Sequence, residues 1–203
     1  MKDNCTGVIL AGGLNRRLPG KKKTFHRIGN QMILDTIYNA FRPIFEEIII
    51  VVNDPLDFLD WDLMVARDII PTRNALAGLH TGLFYSSNDY AYVTACDTPF
   101  INTRVIEYMI DQIQPGDEVI VPRTDDGLEP LSAVYSKSCI PMIEKNLAEQ
   151  IFMIKRFFKK ARVKEIPVAT LKELDPAMEF IFNINTPNDL DRARKMALNG
   201  EQV

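Results

Sequence analysis

Several features that would place this chain in a specialised class are missing from it. Cysteine is scarce and odd in number (Cys5, Cys96 and Cys139), and no two are spaced as C-x-x-C. Neither a disulfide framework nor a zinc site is therefore expected, and a reducing cytoplasm fits. No apolar run approaches the ~18 residues of a membrane span. The first residues, MKDNCTG, carry no signal-peptide apolar segment. A cytoplasmic protein with no membrane partner is the expectation. Formal net charge is only −3, so no global attraction to nucleic acid is expected and any cationic function must be local. Internal repeats and low-complexity linkers are absent. So are the two common phosphate cradles: no Gly is followed four residues later by Gly-Lys-Ser/Thr, and no Gly-x-Gly-x-x-Gly occurs in the first loop.

What remains is the composition of a soluble globular protein, 46% hydrophobic and 25% charged over 203 residues. That suits one domain, 1–203, with a sizeable core. The chain is organised around residues 10–23, LAGGLNRRLPGKKK. The apolar run Val8-Ile9-Leu10-Ala11 ahead of it reads as a buried first strand. Gly12 and Gly13 let backbone N–H groups turn towards an anion, and Arg16, Arg17, Lys21, Lys22 and Lys23 can neutralise it. The alternative is a solvated basic loop after an ordinary strand.

Downstream, residues 32–41 carry helix-spaced apolar groups ended by Pro43, and Ile48-Ile49-Ile50-Val51-Val52 reads as a strand buried on both faces. Asn53 follows it, a turn former on local grounds. Residues 57–62 read as an acidic, aromatic surface segment. Asp68 falls in a strand candidate over 65–70; a carboxylate there is unusual, and its bland explanation is pairing with Arg67 or Arg73. A helix is predicted from about 72 to 86, with Gly78 and Gly82 one turn apart, where close approach by a base or a strand would explain both. A fourth strand over 90–94 ends in Ala95-Cys96-Asp97-Thr98-Pro99-Phe100, which aims Asp97 into the ligand crevice of a parallel sheet; a turn or N-cap role is the alternative. Cys96 reads as a small buried side chain. Then come a helix over 103–113, a strand over 119–121, a hairpin turn at Thr124-Asp125-Asp126-Gly127, and a return strand over 129–135 beginning Glu129-Pro130-Leu131. Residues 138–161 read as helical and increasingly basic, 163–168 and 180–182 as strands. In Asn183-Ile184-Asn185-Thr186-Pro187-Asn188-Asp189, Thr186 as N-cap, Pro187 at the first position and Asp189 at the third mark a helix start. Strands alternating with helices give an α/β fold, a three-layer, mainly parallel Rossmann-like sheet.

Leu10-Ala11-Gly12-Gly13, Arg17 and Lys23, with Leu76-Ala77-Gly78, Cys96-Asp97-Thr98-Pro99-Phe100, Glu129-Pro130-Leu131 and Asn183-Ile184-Asn185-Thr186-Pro187, resemble in order the motifs of the molybdenum cofactor guanylyltransferases, nucleotidyltransferases that activate a small molecule with an NTP. Lys22, Leu18-Pro19-Gly20, Asn74 and Ala75 depart from that family's usual Asp, Met-Gly-Gly and Gly-Pro. The resemblance implies a nucleotidyltransferase-type fold and transfer of GMP from GTP to the terminal phosphate of molybdenum-molybdopterin, releasing pyrophosphate. It implies Mg²⁺ on Asp97, Arg17 and Lys23 on the triphosphate, and Leu10, Ala11, Gly12, Gly13, Asn53, Asp68 and Gly78 around the nucleotide. It further implies Glu129, Pro130, Asn183 and Asn185 at the pterin, metal and phosphates, with GTP and the pterin as partners. The basic stretch Lys155, Arg156, Lys159, Lys160, Arg162 reads as a solvated face or as a docking surface for anionic pterin, a pterin carrier or a molybdoenzyme. A cytidylyltransferase for the same pterin, a nucleotidyltransferase for a sugar or lipid phosphate, and a non-catalytic nucleotide-binding module stay open.

Overall fold

The computed structural model describes residues 5–12, 23–58 and 61–200. Strand β1 (Cys5–Leu10) is buried along its whole length. A 3-10 turn, Lys23–Phe25, leads to a two-residue hairpin of β2 (Arg27–Ile28) and β3 (Gln31–Met32). Helix α1 (Ile33–Phe41) follows, burying Ile33, Leu34, Ile37 and Phe41 on the face its spacing foretells. Next come β4 (Ile48–Val52), β5 (Met64–Arg67), α2 (Ala75–Tyr85), β6 (Tyr90–Ala95) and α3 (Thr103–Asp111). The second half adds β7 (Val119–Thr124), β8 (Gly127–Leu128), β9 (Ser132–Ser136), α4 (Ile140–Ala148), β10 (Val163–Ile166), α5 (Val168–Leu174) and α6 (Pro187–Gly200).

The main sheet runs β10-β7-β9-β6-β1-β4-β5, with β8 paired to β7. β1 is parallel to β4 and β6, β4 to β5, and β10 to β7. β9 is antiparallel to both β6 and β7. Alternate strand residues face opposite layers. Ile9, Ile50, Tyr92, Ile120 and Val134 pack with α1, α3, α5 and α6, whereas Val8, Ile49, Val93, Val121 and Tyr135 pack with α2 and α4. The mainly parallel three-layer α/β arrangement expected from the alternation of elements is what the chain forms.

Gly82 shows how closely the layers meet: a Cβ there would lie 2.5 Å from Val8 Cγ1. A neighbouring strand, not a ligand, accounts for that glycine.

Several local expectations are corrected. In the segment expected at the surface over 57–62, Asp57 and Asp62 are exposed, but Phe58, at the end of the 3-10 turn Pro55–Phe58, is 1% exposed and stacks on Phe25 with centroids 5.3 Å apart. Trp61 donates its indole N–H to Asp35 at 3.1 Å. Two rings close together in sequence found a shared apolar partner, and their burial outweighed the flanking acids. Residues 129–131 form a turn, and the returning strand begins only at Ser132. Helix α4 stops at Ala148 because Gln150 adopts φ 58°; the chain then resumes as a 3-10 turn, Ile154–Lys160. That tighter coil turns Ile154, Phe157 and Phe158 inward and leaves the five basic side chains of this stretch exposed. Val168 opens a helix instead of ending a strand, and Glu179–Ile181 is a 3-10 turn where a strand was expected.

Candidate active site

Four parallel strands end on the same side of the sheet, at Leu10, Val52, Arg67 and Ala95. Strand order reverses about β1: β4 and β5 extend the sheet one way, and β6 lies on the other side. An open α/β sheet has its ligand crevice at such a reversal. A cavity of about 260 Å³ lies there.

Each strand delivers one element of its wall. After β1 come Ala11 and Gly12, held by Ala11 N donating to Val51 O at 2.8 Å. After β4 comes Asn53, whose amide Nδ2 donates to the Gly12 carbonyl. Asn53 therefore clamps the start of the first loop, which a turn former alone would not do.

Asp68 follows β5, one residue beyond the strand in which it was expected. A Cβ on Gly12 would lie 3.5 Å from one Asp68 oxygen, and a Cβ on Gly78 3.9 Å from the other. The carboxylate thus sits between two glycines that leave room in front of it. The Thr81 hydroxyl bonds it and also accepts from Ile69 N at 3.1 Å. Oδ1 is buried without a hydrogen-bond partner. Burial pushes the Asp68 pKa up to about 6, with the Thr81 bond opposing. The expected pairing with Arg67 or Arg73 is not formed among the described residues.

Helix α2 starts at the cavity rim. Asn74 is its N-cap, the side-chain oxygen accepting from Ala77 N at 3.0 Å. This accounts physically for an Asn in place of the usual Gly-Pro. Gly78 lines the wall one turn later.

The fourth wall is the turn after β6. Cys96 N donates to Leu10 O at 3.0 Å and Thr98 N to Ala95 O at 3.2 Å, which fixes the half-buried Asp97 between them. Asn183 and Ile184 brace this turn: the Thr98 hydroxyl donates to Asn183 Oδ1 at 3.1 Å, and Ile184 N to the Asp97 carbonyl at 2.8 Å. Asp189 accepts from the backbone N–H of Asn185 and Thr186, and its own N–H bonds the Thr186 hydroxyl, completing the expected cap of α6.

Of the residues singled out in the sequence, Leu10, Ala11, Gly12, Asn53, Asp68, Gly78 and Asp97 line this one cavity. Glu129, Pro130, Asn183 and Asn185 are not among its lining residues, although Leu131, next to Pro130, is. Glu129 is half-buried, accepts from the Thr124 hydroxyl at 3.4 Å, and has its pKa raised by burial. Gly13 and Arg17 lie outside the described residues, as does the rest of the first loop as far as Lys22. Lys23 opens the 3-10 turn next to Thr24, which lines the cavity. The sequence reading missed Thr24, Phe58, Arg73 and Leu131 as wall residues; for Phe58 the signal was an aromatic side chain in a segment otherwise read as surface.

A mainly parallel α/β sheet whose strand ends bring a glycine-walled cavity and two aspartates together forms a ligand crevice of the open α/β type. The chain belongs to the MobA-like NTP transferase domain family, whose pattern residues 7–165 match. It is 38% identical over 191 residues to the molybdenum cofactor guanylyltransferase of Desulfosudis oleivorans, covering 94% of this chain and 95% of that one. It is 37% identical to the probable molybdenum cofactor guanylyltransferase of Pelotomaculum thermopropionicum, over 96% of this chain and 94% of that one. The crystal structure of molybdopterin-guanine dinucleotide biosynthesis protein A from Archaeoglobus fulgidus superimposes with a TM-score of 0.85 at 26% identity, covering 96% of this chain and 99% of that one. Among the described residues no helix is long and apolar enough to cross a membrane.

Proposed function

We propose that the chain, acting as one nucleotidyltransferase domain over 1–203 in the cytoplasm, transfers GMP from GTP to the terminal phosphate of molybdenum-molybdopterin. A phosphate oxygen of the pterin attacks the α-phosphorus of GTP, the bond to the β-phosphate breaks, and pyrophosphate leaves. The observation that carries this reading is the Asp68 carboxylate, whose buried Oδ1 has no partner in a cavity kept open by Gly12 and Gly78. Ionised, it accepts hydrogen bonds only, and guanine offers adjacent N–H donors. The named relatives support the same substrate.

The chemistry requires positioning and charge neutralisation. Asn53 and Asp68 hold the nucleoside, and Arg17 and Lys23 hold the triphosphate. Among the described residues no group of three or more His, Cys, Asp or Glu could enclose a metal. Mg²⁺ takes one or two carboxylates and completes its shell with phosphate and water oxygens, so a half-buried Asp97 at a strand end fits it. Bound there, Mg²⁺ supplies charge neutralisation at the phosphates. Asn183 holds the Asp97 turn in place, and Asn185 follows it in the same loop. Glu129 and Pro130, beside the Leu131 wall, contact the pterin, and the exposed basic stretch from Lys155 to Arg162 receives the anionic pterin, a pterin carrier or a molybdoenzyme.

The test is pyrophosphate release with molybdate-loaded pterin and GTP, CTP or ATP in Mg²⁺. Turnover with GTP well above the others is expected; preference for CTP would move the chain to the cytidylyltransferase reading, and binding without release to the non-catalytic one.

A further inference from the structure

Asp68 has a charged companion that the reading above does not use. Arg73 lines the same cavity, on the segment between β5 and α2, and is exposed at the rim. Its backbone adopts φ 49°, a left-handed conformation uncommon for a residue with a long side chain. Among the described residues it makes no ion pair. A carboxylate with an orphaned oxygen and an unengaged guanidinium thus line one cavity without pairing. Opposite charges that line one cavity without pairing leave a carboxylate that takes donors and a guanidinium that takes acceptors.

A base that fits must present paired N–H donors on one edge and acceptors on the adjoining one. Guanine does so: N1–H and the N2 amine for a carboxylate, O6 and N7 for the planar fork of an arginine. Adenine offers N7 but an amine in place of O6, and cytosine places its amine beside acceptor atoms. Resting on the guanylyltransferase reading, we propose that Arg73 is a specificity-determining residue that binds guanine O6 and N7 opposite Asp68. Its left-handed backbone, followed directly by the Asn74 cap that fixes the first turn of α2, sets the direction from which the guanidinium enters. Strained backbone is retained where the surrounding structure holds it for a task.

The experiment is calorimetry of the full chain with Mg²⁺ and GTP, ATP, CTP, 7-deaza-GTP and 2-aminopurine riboside triphosphate, on wild type, Arg73→Ala, Arg73→Lys and Arg73→Gly. 7-Deaza-GTP lacks N7 alone, whereas the 2-aminopurine nucleotide lacks both O6 and the N1–H that would face Asp68. Wild type is expected to favour GTP over both analogues. Each Arg73 variant should weaken GTP by roughly tenfold or more, the scale of a lost bidentate base contact. ATP and CTP should change little, the gap between GTP and 7-deaza-GTP should close, and the gap to the 2-aminopurine nucleotide should narrow to what its missing N1–H costs at Asp68. Arg73→Lys keeps the charge without the fork and should lose discrimination all the same. Arg73→Gly tolerates φ 49° without strain, so its melting temperature should hold or rise while discrimination falls. Intact GTP preference in Arg73→Gly would reduce Arg73 to a turn residue and overturn the proposal. An equal loss for every NTP would overturn it in favour of a phosphate contact. Failure of wild type to bind GTP would sink the guanylyl reading itself, whereas tight GTP binding unaffected by Arg73 sinks only this inference.

Discussion

Asp68 and Asp97 occupy equivalent places, each just past the end of a parallel strand on the same side of the sheet, yet their surroundings differ. Asp68 is walled in by Gly12, Gly78 and Thr81, and burial raises its pKa to about 6. Asp97, half-buried like Asp68, sits in a turn stitched to β1 on one side and to residues 183–184 on the other. One side chain is held between two glycines and Thr81, where the proposed function uses it as a hydrogen-bond acceptor. The other is held by its backbone in the turn after β6, where the proposed function gives it Mg²⁺ and the phosphates. In the proposed function the same residue type at the same topological position takes two tasks, set by what surrounds it.

The comparison breaks most visibly at Asp97. Asp97→Asn keeps the shape of the turn and removes the charge, so pyrophosphate release should fall by roughly a hundredfold or more with an unchanged melting temperature. A normal rate at a normal melting temperature would take Asp97 out of the mechanism.

Asp68→Asn should act on binding before chemistry. With a neutral amide replacing the acceptor-only carboxylate, GTP affinity should fall by about tenfold, measured by calorimetry, while the turnover of saturated enzyme falls less. A large loss of turnover at full saturation would show that the two aspartates share one task.

Acidity sharpens the contrast. In the proposed function ionised Asp68, with Thr81 bonded to it, accepts from the guanine N–H groups, and the protonated carboxyl does not. GTP affinity should therefore decline as pH falls through about 6, approaching tenfold per unit below it. The same titration in Asp68→Asn subtracts protonation of the triphosphate itself; identical curves would exclude Asp68 as the sensor. For the empty protein the sign is opposite. A raised folded pKa favours the protonated carboxyl, a contribution present below about 4 and lost as pH rises through about 6. Asp68→Asn should thus be more stable than wild type at pH 8, by about 1 kcal/mol after discounting for solvent screening at this half-open site, and the difference should vanish near pH 4.

The smallest effect concerns the brace. Asn183→Ala leaves the buried Thr98 hydroxyl without its acceptor. About 1 kcal/mol of stability should be lost, read by denaturant titration, with a few-fold slower turnover. No change in either would mean that Ile184 alone holds the Asp97 turn.

Much of this architecture could be read along the chain. The β-branched run of β4, the apolar stripe of α1, the Thr186–Asp189 cap and the turn after β6 depend on near neighbours in sequence, where periodicity and side-chain capping act directly. The site residues on strand ends were legible for the same reason: a short apolar run followed by glycine, asparagine or aspartate marks where a parallel strand delivers its load. The errors fall where a distant contact or a left-handed residue without a glycine or asparagine to mark it decides. The break in helix 138–161 turns on a left-handed Gln150, and the burial of Phe58 depends on Phe25.

Sequence by itself determined β1, β4, α1, β6 and the start of α6, because those elements rest on local backbone preference and on side-chain period. Only the tertiary structure decided that β9 inserts antiparallel between β6 and β7, that Asn183 reaches back 85 residues to brace Thr98, and that Asp68 and Arg73 face one cavity without pairing. Those outcomes depend on sheet order and on which groups lose water together, and burial is a property of the assembled layers that no single stretch of chain carries.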